Sequence, residues 1–145
     1  MNWKAEAMEK LRRYEAMERA TVNIPLEIQR LKAAAQAPRG AKIDGTPVKG
    51  SGNRREEMLM DNMVHRQELQ WNLEQAQWWL DTADRALETL TPEERLVLRR
   101  LYISPQKGAV ERLCQELGVE QSSVYRRRDQ ALYRFTTALY GFPES

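Results

Sequence analysis

One cysteine, one histidine and two phenylalanines in 145 residues leave little from which to build several common kinds of site. The lone Cys114 excludes an intramolecular disulfide framework and suits a reducing compartment. It sits four residues before Gly118, where a small buried thiol fits better than a nucleophile that has no histidine partner. His65 has no cysteines at ligand spacing, so no metal and no cofactor is expected. Glycine-rich phosphate loops and nucleophile elbows are also missing: GSGNRR follows no strand, and the chain is expected not to be an enzyme. No apolar run approaches the roughly 20 residues that cross a bilayer. The opening MNWKAEAMEK is charged from the start, so no signal peptide and no membrane partner are expected, and the cytoplasm is the expected location.

The sequence has many charges and little β-branched sequence. Net charge is only +2, but its distribution is uneven. Residues 1–55 hold twelve Lys/Arg against six Asp/Glu, residues 56–90 two against eight, and residues 91–145 nine against seven. Opposite balances in the first two segments suggest either that one packs on the other or that each is a solvated face. Without β-branched runs, the fold class is all-α. Residues 1–90 read as an N-terminal helical hairpin or coiled coil with a long central helix, and residues 91–145 as a three-helix helix-turn-helix domain.

Trp3, Ala7, Leu11, Tyr14 and Met17 predict a helix over 3–20. Asn23 and Pro25 then predict a break and a restart, with a second helix over 24–36 carrying Ile24, Ile28 and Leu31 on one face. The stretch 38–55 contains four of the seven glycines, two prolines and five basic residues, and reads as a loop. It is either a solvated linker or a basic arm that follows DNA through Lys42, Lys49, Arg54 and Arg55. A long helix is expected over 56–90. Its seam of Leu69, Leu73, Ala76, Leu80, Ala83, Leu87 and Leu90 alternates steps of four and three, a heptad pattern. Arg66 interrupts the seam, and Trp71, Trp78 and Trp79 widen the apolar surface beyond it. The seam partner is either the N-terminal helix of the same chain or a second subunit in a homodimer through the long helix.

Thr91-Pro92-Glu93-Glu94 has the residues of a capping box with proline at the first helical position. From Val110 to Arg128 the chain then reads as helix, glycine turn, helix. Gly118 is suited to the turn because it tolerates positive φ. Leu113, Leu117, Val119 and Val124 fall where the two helices would meet. Projected as a helix, residues 121–140 place Val124, Ala131, Phe135, Ala138 and Leu139 inward. In such a unit the exposed first turns of the second helix reach base edges. Gln pairs with adenine, Arg with guanine, and Ser with several groups. Gln121, Ser122, Tyr125 and Arg126 are the expected base readers on double-stranded DNA. Arg99, Arg100, Lys107, Ser123, Arg127 and Arg128 are expected at phosphates. Two positions are atypical. Glu120 stands where Ser or Thr usually caps, so Ser122 is a second candidate cap, and Arg127 occupies an ordinarily aliphatic slot, where it must snorkel or pair with an acid.

LTPEERLVLRRLYI followed by LCQELGVEQSSVYRRRDQALYRF resembles the promoter-reading region of sigma factors. With NIPLEIQRL, DGTPVKGSGNRREE and the ALYG ending, nearly the whole chain resembles the ArpU-type phage and prophage transcriptional regulators. That resemblance implies DNA-binding control of phage late genes in a bacterial host. Activation by recruiting RNA polymerase makes the polymerase a candidate further partner. Two other classes fit the same residues: a phage small terminase subunit, which joins a helix-turn-helix to an oligomerising coiled coil, and a helical adaptor that binds no DNA.

Overall fold

The computed structural model describes residues 1–37 and 51–142, so Lys42 and Lys49 lie outside the described residues. All regular structure among the described residues is helical: α1 (Trp3–Arg12), α2 (Tyr14–Gln36), α3 (Ser51–Glu88), α4 (Pro92–Leu98), a π-helical turn (Arg99–Ile103), α5 (Ala109–Leu117) and α6 (Gln121–Tyr140).

Local chemistry explains most boundaries. Asn2 caps α1 by accepting from the Ala5 amide at 3.0 Å, and Lys10 and Arg12 lie in its last turn, where the helix dipole favours cations. The break expected at Asn23–Pro25 is absent, and α2 runs straight through Pro25. Proline removes one N–H from the ladder, but its fixed φ is itself helical, so a long helix with apolar residues on both sides can carry it. The irregularity falls instead at Arg13, where the backbone flattens to φ −92° and ψ 0° between α1 and α2. The helical ladder continues across it, from the Arg13 amide to the Glu9 carbonyl and from the Met17 amide to the Arg13 carbonyl. The long helix also begins earlier than expected, at Ser51 rather than Glu56. Arg54 and Arg55 are therefore on the first turns of a helix, not on a loop. One glycine, Gly52, costs about 1 kcal/mol of helix propensity, which the good helix formers after it can offset.

Packing divides the chain into residues 1–18 with 77–145, and residues 19–76. This grouping differs from a boundary at 90/91, because the first helix and the end of the long helix join the C-terminal helices. In the first unit, Ala7, Leu11 and Tyr14 of α1 and α2 share one core with Ala83, Ala86 and Leu87 of α3, Leu98, Tyr102, Ile103, and Ala131, Leu132 and Phe135 of α6. The last part of the heptad seam is thus covered within the chain by the N-terminal helix. Lys10 is buried in this unit, its ammonium 3.8 Å from the Trp79 ring centre and 4.9 Å from that of Trp78, while the Trp79 indole donates to the Lys10 carbonyl. Burial lowers the Lys10 pKa, and the aromatic faces supply part of the lost hydration. Tyr14 donates to Asp84, and burial followed by that bond pushes its phenol pKa up. Burial also raises Tyr102 and Tyr140.

The second unit is thinly packed. Among its described residues, the buried apolar ones are Leu31, Leu73 and Ala76. Asn62 donates to the Leu31 carbonyl at 2.9 Å and accepts from Arg66 at 2.8 Å, so the arginine that interrupts the seam is held by a side-chain amide. Met58, Leu59 and Met63, on the first half of α3, are exposed.

Candidate nucleic-acid interface

The arrangement of α4, α5 and α6 is fixed by backbone chemistry at two glycines and one capping box. Thr91 accepts from the Glu94 amide at 3.2 Å while the Glu94 carboxylate accepts from the Thr91 amide at 2.9 Å, fixing the start of α4. That helix passes into the π-helical turn, closed by the Ser104 amide donating to the Arg99 carbonyl at 2.8 Å. The wider turn lets the consecutive residues Tyr102 and Ile103 both be buried. Gly108, at φ +77°, starts α5, and Gly118, at φ +65°, ends it. A side chain would be strained at either position. Val119 donates to the Cys114 carbonyl across the turn, at 3.1 Å.

Val97, Leu113 and Val124 are buried together, with Val110, Cys114, Leu117 and Val119 packed around them. One residue from each of three helices therefore sets the angle at which α6 leaves the turn. Cys114 is partly buried in this cluster. The helix begins at Gln121, with Glu120 as its extended N-cap residue and no side-chain cap bond, so Ser122 does not cap a later start.

The first turns of α6 are covered on one side only. Val124 is fully buried, while Gln121, Ser122, Tyr125 and Arg126 are exposed. Gln121 donates to the Tyr125 hydroxyl at 3.2 Å, so these two side chains form a pair along the outer face. The second half of α6 is covered more widely because α1 also packs there. Leu132 and Thr136 are buried in addition to Ala131 and Phe135, whereas Ala138, expected inward, is exposed.

The basic residues separate into engaged and unengaged groups. Arg127 pairs with Glu93 and donates to Ser123 at 3.3 Å, so the charge in the aliphatic slot does find an acid. Arg128 pairs with Asp129 at 2.9 Å and lies 5.0 Å from the Tyr125 ring centre. Arg100 pairs with Glu116 at 3.1 Å. Arg126 and Lys107 have no ion-pair or hydrogen-bond partner among the described residues, and both are exposed. Arg99 is also exposed, with its charge near the Tyr14 phenol. The engaged arginines are about one-third exposed, in pairs of a kind that contribute at most about 1 kcal/mol, so a phosphate can compete for them. Arg54 is exposed and Arg55 half-buried, both at the start of α3 in the second unit.

A cleft of about 470 Å³ lies beside this face, between the start of α4 and the middle of α6. It is lined by Thr91, Glu93, Glu94, Val97, Ser123, Arg126, Arg127, Gln130 and Arg134. Arg134 donates to Glu94 at 3.2 Å, and the other Glu94 carboxylate oxygen is buried without a hydrogen-bond partner. Nothing local in the sequence points to Arg134. Its partner is 40 positions away, and no local pattern carries that pairing. Among the described residues, no group of His, Cys, Asp and Glu is placed to hold a metal, and no helix is long and apolar enough to cross a membrane. Comparison with family models, curated proteins and solved structures finds no match for this chain.

Proposed function

We propose that this chain is a sequence-specific DNA-binding transcriptional regulator, not an enzyme, and that it reads the major groove with the first turns of α6. The observation that carries this reading is the one-sided burial of α6. Val124 anchors the helix while Gln121, Ser122, Tyr125 and Arg126 project outward, with Arg126 unengaged. An arginine without an acid partner is free to pair bidentately with guanine, and glutamine with adenine. The unpaired Lys107 and Arg99, and the competable Arg100, Arg127 and Arg128, supply phosphate contacts that hold register without reading sequence. The uncapped amides at the start of α6 suit a phosphate as well.

On the resemblance to ArpU-type regulators, the proposed targets are phage or prophage late genes in the bacterial cytoplasm, with recruitment of RNA polymerase as the proposed route to activation. Fluorescence anisotropy with duplexes from upstream of late genes, repeated across salt, tests the proposal. Expected is tight, selective binding whose logarithm falls linearly with the logarithm of salt concentration, with a slope of about 0.9 per phosphate contact. Binding that is absent, or independent of salt, would overturn it in favour of the helical adaptor.

A further inference from the structure

We propose that residues 19–36 and 51–76 form a twofold dimer interface in which α2 of one copy seats on α3 of its partner. The inference does not rest on DNA binding. Both helices carry a second apolar stripe on the side away from their inward one. At about 100° per residue, Met60, Val64 and Trp71 fall on one line of α3, nearly opposite Leu69, Leu73 and Ala76. The first three are 57%, 44% and 61% exposed, while Leu73 and Ala76 are buried. On α2, Val22 and Leu26 are 63% and 59% exposed, opposite the half-buried Ile24 and Ile28 and the buried Leu31.

Charge decides what covers these stripes. Between residues 56 and 76, α3 carries Glu56, Glu57, Asp61, Glu68 and Glu74 against Arg66 alone. Between residues 19 and 36, α2 carries Arg19, Arg30 and Lys32 against Glu27. Packing α3 on α3 would bring two acidic surfaces together. Packing α2 on the partner's α3 sets a basic flank on an acidic one, and a twofold axis makes that match twice with one chain type. The area is also adequate. The five exposed side chains offer on the order of 500 Å² of apolar surface per copy, against about 800 Å² per partner, little more than half of it apolar, in a standard stable interface.

Sedimentation equilibrium of the full chain tests the association. The expected mass is twice the 17.0 kDa of one chain. Trp71→Glu and Leu26→Glu, both at exposed positions, should each weaken dimerisation at least 100-fold while leaving helical circular dichroism unchanged. A wild-type monomer would overturn the proposal, its stripe then being covered by its own chain or by a different protein. A ring of many copies would overturn it too, as would dimers that survive both substitutions. Disulfide trapping in a Cys114→Ser background tests the pairing. Chains with Leu26→Cys mixed with chains with Val64→Cys should cross-link to each other. Cross-links only between two Val64→Cys chains would show α3 on α3 and refute the arrangement.

Discussion

The two units of this chain spend their apolar residues differently. Among the described residues, 1–18 and 77–142 bury sixteen apolar side chains, including Phe135, Leu11 and Leu132 at 1% exposure or less, whereas 19–37 and 51–76 bury only Leu31, Leu73 and Ala76. In the first unit a helix face is apolar because another helix of the same chain covers it. In the second, Val22, Leu26, Met60, Val64 and Trp71 are exposed, on helices that also carry many charges. An apolar stripe in sequence therefore means core in one region and unpartnered surface in the other. What separates them is the number of neighbouring helices, not the pattern itself.

The largest expected effect sharpens that contrast. Phe135→Ala should destabilise the chain by about 3–5 kcal/mol in urea unfolding, because it leaves a cavity where α1, α3 and α6 meet. Trp71→Ala, at a concentration low enough for monomers, should stay within about 0.5 kcal/mol of wild type. Equal costs would erase the distinction between the units. Next comes Arg126→Ala, which should weaken selective DNA binding by about 1–3 kcal/mol, read by anisotropy, and relax preference at one base pair. Its unfolding midpoint should not move, since the side chain is exposed and unpartnered.

Thr91→Ala should cost about 1 kcal/mol of stability through loss of the capping box, and circular dichroism melts would show it. Glu93→Gln releases Arg127 to phosphate, so DNA affinity at low salt should rise, by less than about fivefold for a half-exposed pair. Unchanged affinity would mean that Arg127 does not approach the backbone. The smallest effect concerns pH. The folded state holds the phenols of Tyr14, Tyr102 and Tyr140 above their ordinary pKa, so the unfolded state ionises first as pH rises through about 10. The contribution of these phenols should be level below that pH and decline above it, and Tyr14→Phe should shrink the decline. Urea midpoints that stay flat into alkaline pH would contradict this.

Much of the fold is legible where the signal is local. The Thr91 capping box, the Gly118 turn and the inward set of Leu113, Leu117, Val119 and Val124 each depend on a few consecutive residues, and the structure has them as read. Pro25 was misleading for the opposite reason. It signals a break locally, but neighbouring turns outvoted it. Ala138 and Thr136 show where periodicity gives out. The covered arc of α6 widens midway because a helix more than 100 positions earlier packs on its second half, and no window on residues 121–140 contains that information. The same applies to the site. The exposed face of Gln121, Ser122, Tyr125 and Arg126 follows from helix geometry alone. The division into engaged and free arginines depends on Glu93, Glu94 and Glu116, which only the folded chain brings near.

Selection from a pool of random duplexes, run side by side with wild type and Arg126→Ala, tests the central claim most directly. The account predicts a sharp motif for wild type and, for the variant, the same motif with one position degraded. Identical motifs from both proteins, or no enrichment from either, would contradict it.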